Sequence, residues 1–254
     1  MLHTAIDTTP AILPAAPPPL SLANVALFLD LDGTLANIEA TPDAVGPQAR
    51  RNWLLSELGR QLNGRLAVLS GRSMDEIDRI LGETVRSAAG VHGLERRTPE
   101  GDRIDLLAHP ELPTVVAMLE SFAKGQKGLL VERKERSVGL HYRLHPPAEA
   151  ACLDVAQRLA AAYGLTVQEG NMVVELRTPG PDKGDALTLF MREPLFARAL
   201  PIMVGDDLTD EDAFNAAIEL GGFGVLVGEP RPTAARYNLE SPQAVLAWLE
   251  EAIA

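Results

Sequence analysis

An α/β fold is predicted by this sequence: a doubly wound, Rossmann-like parallel sheet interrupted by an inserted α+β domain of αββαββ order. Apolar runs of strand length at 25–31, 65–70, 200–205 and 222–227 are nearly continuous, as in strands covered on both faces. They alternate with helical patterns, the rhythm of parallel βαβ units with right-handed crossovers. Near residue 104 that rhythm gives way to hairpin-like strand pairs, and it resumes near 182. A chain of 254 residues, 46% of them hydrophobic, can bury such a core together with a second, smaller one.

The first 20 residues contain five prolines (Pro10, Pro14, Pro17, Pro18, Pro19) and neither Lys nor Arg. This predicts a disordered or polyproline-like arm over 1–22 and no secretory signal. The first strand, 25–31, runs at once into Gly33 and Thr34, and a loop through Pro42 and Pro47 leads to a helix over 48–62. After the strand 65–70, Ser73 and Glu76 form a capping box that opens the next helix. The inserted domain, 107–177, divides the core into 23–106 and 178–254. Within it a helix covers 112–123, and strands cover 128–134 and 138–145 across a short turn. The helix at 147–163 starts at Pro146-Pro147 and ends at Gly164, proline in and glycine out. Strands at 165–168 and 172–177 complete the insert. The core resumes with a helix at 182–192, the strand 200–205, a helix from about 209, the strand 222–227 and a last helix capped by Ser241-Pro242.

The formal net charge of −12 repels phosphate backbones on average, which argues against nucleic acid as a partner and suits uptake of a divalent cation. The single cysteine, Cys152, excludes an intramolecular disulfide and a multi-cysteine metal site, and the five histidines show no zinc-ligand spacing. No run approaches the roughly 18 apolar residues of a membrane span. The expected location is cytoplasmic, with no membrane partner.

Four clusters at strand and helix ends carry the chemistry. Asp has poor strand propensity, so Asp30 and Asp32 at the tip of so apolar a strand need a reason. They point to metal-binding, nucleophilic carboxylates in the crevice where open α/β sheets hold their ligands. Ser70-Gly-Arg72 ends the next strand, Asp182-Lys183-Gly184 opens the helix after the insert, and Gly205-Asp206-Asp207-Leu-Thr-Asp210 ends the strand 200–205. In this order the four resemble the motifs of the haloacid-dehalogenase-like phosphohydrolases, whose fold is a doubly wound parallel sheet carrying a variable cap. That resemblance implies Asp30 as the nucleophile that becomes an aspartyl-phosphate, and Asp32 as general acid and then base. It implies that Ser70 hydrogen-bonds a phosphoryl oxygen, with Gly33, Thr34, Gly71 and Arg72 as further substrate contacts. Lys183 neutralises charge shared by Asp30 and the phosphate. Mg²⁺ is the implied cofactor, held by Asp30, Asp206 and the backbone carbonyl of Asp32, with Asp207 and Asp210 orienting its waters.

Strand alternation gives the insert two faces. Val138, Leu140, Tyr142, Leu144, Met172, Val174 and Leu176 form an apolar one suited to the insert helices. Glu132, Lys134, His141, Arg143, Glu175 and Arg177 share the other. A cap presenting such donors and acceptors to the strand tips suits a polyhydroxylated ligand. The segments Gly90-Val-His-Gly-Leu-Glu95, Glu132-Arg-Lys134 with Ser137, His141-Tyr-Arg143, and Glu175 with Lys183-Gly184 add to the core motifs. Together they resemble the trehalose-6-phosphate phosphatases over about 25–250. By that resemblance Glu132, Lys134, Arg143 and Glu175 grip sugar hydroxyls, His141 adds a further contact, and His92 and Gly93 line the core side. The implied activity is Mg²⁺-dependent hydrolysis of trehalose 6-phosphate, in trehalose biosynthesis, with a trehalose-6-phosphate synthase as functional partner. The alternatives are a related capped phosphatase for another sugar phosphate and a catalytically silent sugar-phosphate sensor. Sensors of that kind usually lose a catalytic group, and Asp30, Asp32, Lys183 and Asp206 are all present.

Overall fold

The computed structural model describes residues 15–254. At its centre lies β1 (Val25–Leu29), flanked on one side by β2 (Leu66–Leu69) and β3 (Ser87–Gly90). On the other side stand β10 (Leu200–Gly205), β11 (Phe223–Val227) and β12 (Tyr237–Leu239), and all six strands are parallel. Two further strands, β4 (Glu95–Arg97) and β5 (Arg103–Asp105), extend the sheet antiparallel beyond β3. The chain lays down one half outward from β1, then crosses to build the other half. The carboxyl end of β1 is therefore the topological switch point, where such sheets open a crevice.

The missing alternation in β1 has a packing cause. Val25, Leu27 and Leu29 enter one apolar layer, while Ala26 and Phe28 enter the other. The first layer is closed by α1 (Ala49–Gln61), α2 (Met74–Leu81) and α7 (Pro242–Glu251) through Leu54, Leu58, Ile77, Ile80 and Trp248. The second is closed by α5 (Lys183–Arg192) and α6 (Glu211–Glu219) through Leu187, Phe190 and Phe214. Each fully buried Leu or Phe contributes about 1.5–3 kcal/mol, so both faces reward apolar residues.

The insert comprises α3 (Leu112–Ala123), β6 (Leu130–Arg133), β7 (Ser137–His141), α4 (Glu149–Tyr163), β8 (Thr166–Gly170) and β9 (Val173–Arg177). Its strands form an antiparallel sheet in the order β6-β7-β9-β8. Val138, Leu140, Val174 and Leu176 are wholly buried, in one cluster with Leu119 and Cys152 of the two insert helices. The αββαββ order agrees with expectation, and so does the apolar face at Val138, Leu140, Tyr142, Val174 and Leu176, but Met172 lies exposed in the turn before β9 and outside that face.

Some expectations need correction. β7 ends at His141 because Tyr142 N–H turns to Met172 O (3.0 Å), His145 N–H closes on Tyr142 O (2.8 Å), and prolines follow. Arg143 and Leu144 therefore lie past the strand, and Leu144 is exposed rather than part of the apolar face. β3, β4, β5 and β12 were not expected. All four are only three or four residues long, and β3, β4 and β5 are built largely of small or charged residues, so their pairing partners make them strands. Nor are residues 15–22 a disordered arm. Ala15 O accepts from Asn238 N–H at 2.9 Å, Pro18 O accepts from Trp248 Nε1 at 2.8 Å, and Leu20 is buried. A proline-rich stretch makes no internal hydrogen bonds, which leaves its carbonyls free for such docking. The rest of the arm, 1–14, lies outside the described residues. No helix among the described residues is long and apolar enough to cross a membrane.

Candidate active site

The carboxyl ends of β1, β2 and β10 meet the first turn of α5 at the foot of a cleft, and the polar face of the second sheet forms its opposite wall. Asp182 caps α5 through a capping box with Asp185, which sets Lys183 at the first helical position. From there Nζ of Lys183, 3% exposed, donates to Asp30 Oδ1 at 2.7 Å and to Asp210 Oδ1 at 2.6 Å. Burial alone would lower the Lys183 pKa, but Asp210 and Asp30 outweigh it and hold the ammonium charged.

Asp30, Asp206 and Asp210 each place a carboxylate oxygen within 4.8 Å of the others. Like charges about 4 Å apart repel by about 4 kcal/mol at an effective dielectric near 20. Burial, reinforced by Asp210 and Asp206 against the pull of Lys183, pushes Asp30 well above the usual carboxylate range. Burial and the neighbouring Asp210 and Asp207 push Asp206 up to about 7. Three carboxylates thus share one ammonium, and Asp206 has only a long hydrogen bond from Thr34 Oγ1, 3.4 Å, among the described residues. An all-oxygen set with surplus negative charge fits a hard divalent cation such as Mg²⁺.

A pH dependence follows. With its pKa raised, folded Asp206 keeps a proton that the unfolded chain releases, so its contribution to stability is lost as pH rises from 3.8 to about 7. Asp206→Asn removes that term. In chelating buffer the unfolding midpoint of the variant, relative to wild type, is expected to climb across this window. A flat difference would show that the neighbouring carboxylates do not load Asp206.

Asp32 stands apart from the cluster. Arg72 grips its carboxylate with both arms, Nε to Oδ2 at 2.6 Å and Nη2 to Oδ1 at 2.7 Å, and reaches Glu76 at 3.2 Å. Ser70, nearly fully buried, accepts from Arg72 N–H at 3.2 Å, and its hydroxyl proton has no acceptor among the described residues. Gly71 is needed because the His92 imidazole lies on it, 2.7 Å from where a Cβ would stand. Val91 and His92 both adopt left-handed backbone, with φ of 46° and 55°. For a β-branched residue this is strained, and such strain gathers at functional sites. Burial lowers the His92 pKa against the opposing Glu175, and its buried Nδ1 has no hydrogen-bond partner among the described residues.

Other expected residues are placed differently. Gly33, at φ +85°, lets the loop cross Asp206, whose Oδ2 is 2.1 Å from the position of a Cβ. With Thr34 it supports that carboxylate and does not line the cleft. Gly93 packs on Asp182 O at the start of α5 and is also off the cleft. Asp210, completely buried, takes Lys183 on one oxygen and the N–H groups of Asp206 and Asp207 on the other, both at 3.0 Å. It ties Lys183 to the Asp206 turn and so shapes the floor of the site. Asp207 caps the 3-10 turn Leu208–Asp210 through Leu208 N–H at 2.6 Å, and its second oxygen accepts from Asn171 N–H of the insert at 3.2 Å. One oxygen of each carboxylate is drawn to the unpaired N–H groups at this helix start.

On the opposite wall, Lys134 Nζ donates to Glu175 Oε2 at 3.1 Å and reaches Gly71 O at 3.3 Å, joining the two domains. Burial works to raise the Glu175 pKa, but Lys134 and His92 hold it below the usual range. His141 Nε2 and Glu132 Oε2 are 2.7 Å apart. Arg143 lines the rim, where its guanidinium donates to Glu39 O at 2.8 Å and Asn171 O at 3.3 Å. Arg177, expected on the polar face, is buried at the domain junction and donates to Gly180 O at 2.8 Å and Pro181 O at 2.5 Å. Ile38, Glu39, Gln168 and Asn171 also line the cleft and were missed. Ile38, Glu39 and Asn171 lie in irregular segments and Gln168 in β8, none with a chemical signature, and only the meeting of the two domains brings them there.

The family model described as trehalose-phosphatase matches residues 28–243. A protein of Sinorhizobium fredii, named as a probable trehalose-phosphate phosphatase, is 36% identical over 218 residues, spanning 84% of this chain and 81% of its own. The trehalose-6-phosphate phosphatase of Escherichia coli is 37% identical over 237 residues, 90% of this chain and 86% of that one. Among solved structures, the C-terminal domain of Candida albicans trehalose-6-phosphate phosphatase shares the fold with a TM-score of 0.84 at 24% identity, over 96% of this chain and 99% of that chain. With four motifs in one cleft and a match across most of its length, this chain belongs to the trehalose-phosphatase family.

Proposed function

We propose that this chain hydrolyses trehalose 6-phosphate to trehalose and inorganic phosphate through a phosphorylated Asp30. One observation carries the reading. A buried Asp30–Lys183 pair lies at the foot of a cleft whose facing wall presents Glu132, Lys134 and Glu175. The first group suits a phosphoryl centre, and the second suits sugar hydroxyls, because buried polar groups left unpaired penalise any ligand lacking them.

In this mechanism an Asp30 oxygen forms a bond to phosphorus while the bond from phosphorus to the sugar oxygen breaks. Asp32 gives its proton to the departing oxygen, which requires its carboxyl to turn from Arg72 toward the cleft. Water then attacks the aspartyl-phosphate, Asp32 takes the water's proton, and phosphate leaves with Asp30 restored. Ser70 donates its hydroxyl proton to a phosphoryl oxygen, and Lys183 balances the charge that Asp30 shares with the phosphate. A Mg²⁺ held by Asp30 and Asp206 would supply further charge neutralisation at the phosphoryl group. Lys134, between Glu175 and Gly71 O, stands on the cap side of the cleft where the sugar would lie. The substrate must come from an enzyme joining two glucose units with a phosphate retained, so a trehalose-6-phosphate synthase would act before it.

Phosphate release measured over a panel of sugar phosphates, with and without Mg²⁺, tests this. Trehalose 6-phosphate is expected to be turned over fastest and only with the metal; indifference to the sugar would overturn the substrate assignment. Lys134→Ala is expected to lower kcat/KM for trehalose 6-phosphate roughly 10- to 100-fold, the worth of a lost charge-assisted hydrogen bond. A small aryl phosphate, which cannot reach Lys134, should lose far less. Equal losses on both would place Lys134 outside sugar recognition.

A further inference from the structure

Asp206 and Asp207 occupy a turn whose two peptide groups are held from both sides. Their N–H groups point to Asp210 Oδ2, at 3.0 Å each. Their carbonyls point to the guanidinium of Arg231, with Nη2 at 2.9 Å from Asp207 O and 3.4 Å from Asp206 O. Arg231 comes from the connection between β11 and β12, far in sequence from every motif, and none of the four strand-tip clusters contains it. Its Nη1 is ion-paired with Glu211 and donates to Pro232 O at 3.1 Å. The second Glu211 oxygen accepts from Ala234 N–H at 2.8 Å, so the same carboxylate ties the loop to the first turn of α6. One planar fork therefore spans two carbonyls of the turn and a carboxylate of the helix behind it.

Two effects could give Arg231 a role here, and charge is the weaker. The guanidinium is neutralised by Glu211, so the pair adds little net field at the carboxylates. The geometric effect is the stronger. Mg²⁺ needs near-octahedral oxygens at about 2.0–2.1 Å and tolerates misplacement poorly. Groups that orient a ligand from behind are typically worth about 10- to 100-fold in metal affinity. Lys cannot replace the fork, because an ammonium is a point donor without the fixed spread of a guanidinium.

We propose that Arg231 is a positioning residue that fixes the Asp206 turn for a divalent cation. This rests on the reading above that Asp206 and Asp30 hold Mg²⁺. Binding of Mg²⁺ alone to the full chain, followed by calorimetry, tests it in wild type and in Arg231→Gln, Arg231→Lys, Glu211→Gln and Asp206→Asn. Arg231→Gln is expected to weaken Mg²⁺ binding roughly 10- to 100-fold. Arg231→Lys should not restore it, and Glu211→Gln should show a smaller loss in the same direction. In both Arg231 variants saturating Mg²⁺ should bring kcat back toward wild type, which a general structural defect would not allow. The metal-free unfolding midpoint of each variant reports folding separately. Should Arg231→Gln fail to fold, Arg231→Lys and Glu211→Gln decide the matter. Wild-type Mg²⁺ affinity in the folded Arg231 variants, with binding lost in Asp206→Asn, overturns the role of Arg231 and leaves the metal reading standing. Absence of Mg²⁺ binding by wild type overturns both.

Discussion

Replacing Asp30 by Asn is expected to abolish turnover of every phosphate ester while the protein still folds. The carboxylate is the atom group that bonds to phosphorus, and an amide oxygen is too poor a nucleophile to stand in for it. Losses on removing a covalent nucleophile are on the order of 10⁴-fold or more in kcat. Stability should move the other way. Asp30 is a buried carboxylate crowded by Asp210 and Asp206, so the neutral amide relieves repulsion, and Lys183 keeps Asp210 as its partner. The metal-free unfolding midpoint of Asp30→Asn should equal or exceed that of wild type. Rapid quenching with radiolabelled substrate should trap a phosphoprotein in wild type and none in the variant. Undiminished turnover by Asp30→Asn would remove the residue from the mechanism.

Lys183→Met should do the most damage to the fold. The ammonium is the charge that both Asp30 and Asp210 lean on, at 2.7 and 2.6 Å. Removing one partner of a buried ion pair costs about 3–5 kcal/mol, because the other is left charged and dry. The loss should depend on pH with a definite sign. Without the lysine, the folded-state pKa of Asp30 rises further above its unfolded value, so the folded chain holds protons that the unfolded one releases. Destabilisation is then greatest above neutrality and shrinks as pH falls toward the ordinary carboxylate range. Turnover should fall about 10²- to 10³-fold with the lost stabilisation of charge at the phosphoryl group. Denaturation at several pH values measures the first effect and phosphate release the second. A variant as stable as wild type at pH 8 would mean that these carboxylates are not charged in the folded protein.

The two residues were legible along the chain for different reasons. Asp30 was conspicuous because a carboxylate at the tip of an apolar strand opposes local propensity. Lys183 was conspicuous only through its place after the insert, in register with the other three clusters. The polar face of the cap was partly legible. Alternation placed Glu132, Lys134, His141 and Glu175 correctly, because period-two patterning survives wherever the strand continues. Arg143 reaches the cleft rim although the strand has already turned at Tyr142, and Arg177 keeps the face of Glu175 but is buried at the domain junction against Gln168 and His92 O. Asp207 and Asp210 were legible as carboxylates beside Asp206, but not their partners: turn N–H groups take one oxygen of each, and Asn171 N–H and Lys183 take the others. Arg231 carried no signal at all.

The α/β core, the inserted αββαββ unit and the four reactive clusters in their order were determined along the chain itself. Each is a local matter: apolar periodicity, capping, and polar residues placed against their propensity. Which side chains share a charge, which hold others in place and which face the ligand were decided only by the tertiary structure. Those outcomes depend on distances between segments far apart in sequence, such as Lys134 at Gly71 and Arg231 at Asp207. At a few ångströms in a buried site, distance sets the size of every charge interaction, and no pattern along one chain encodes it.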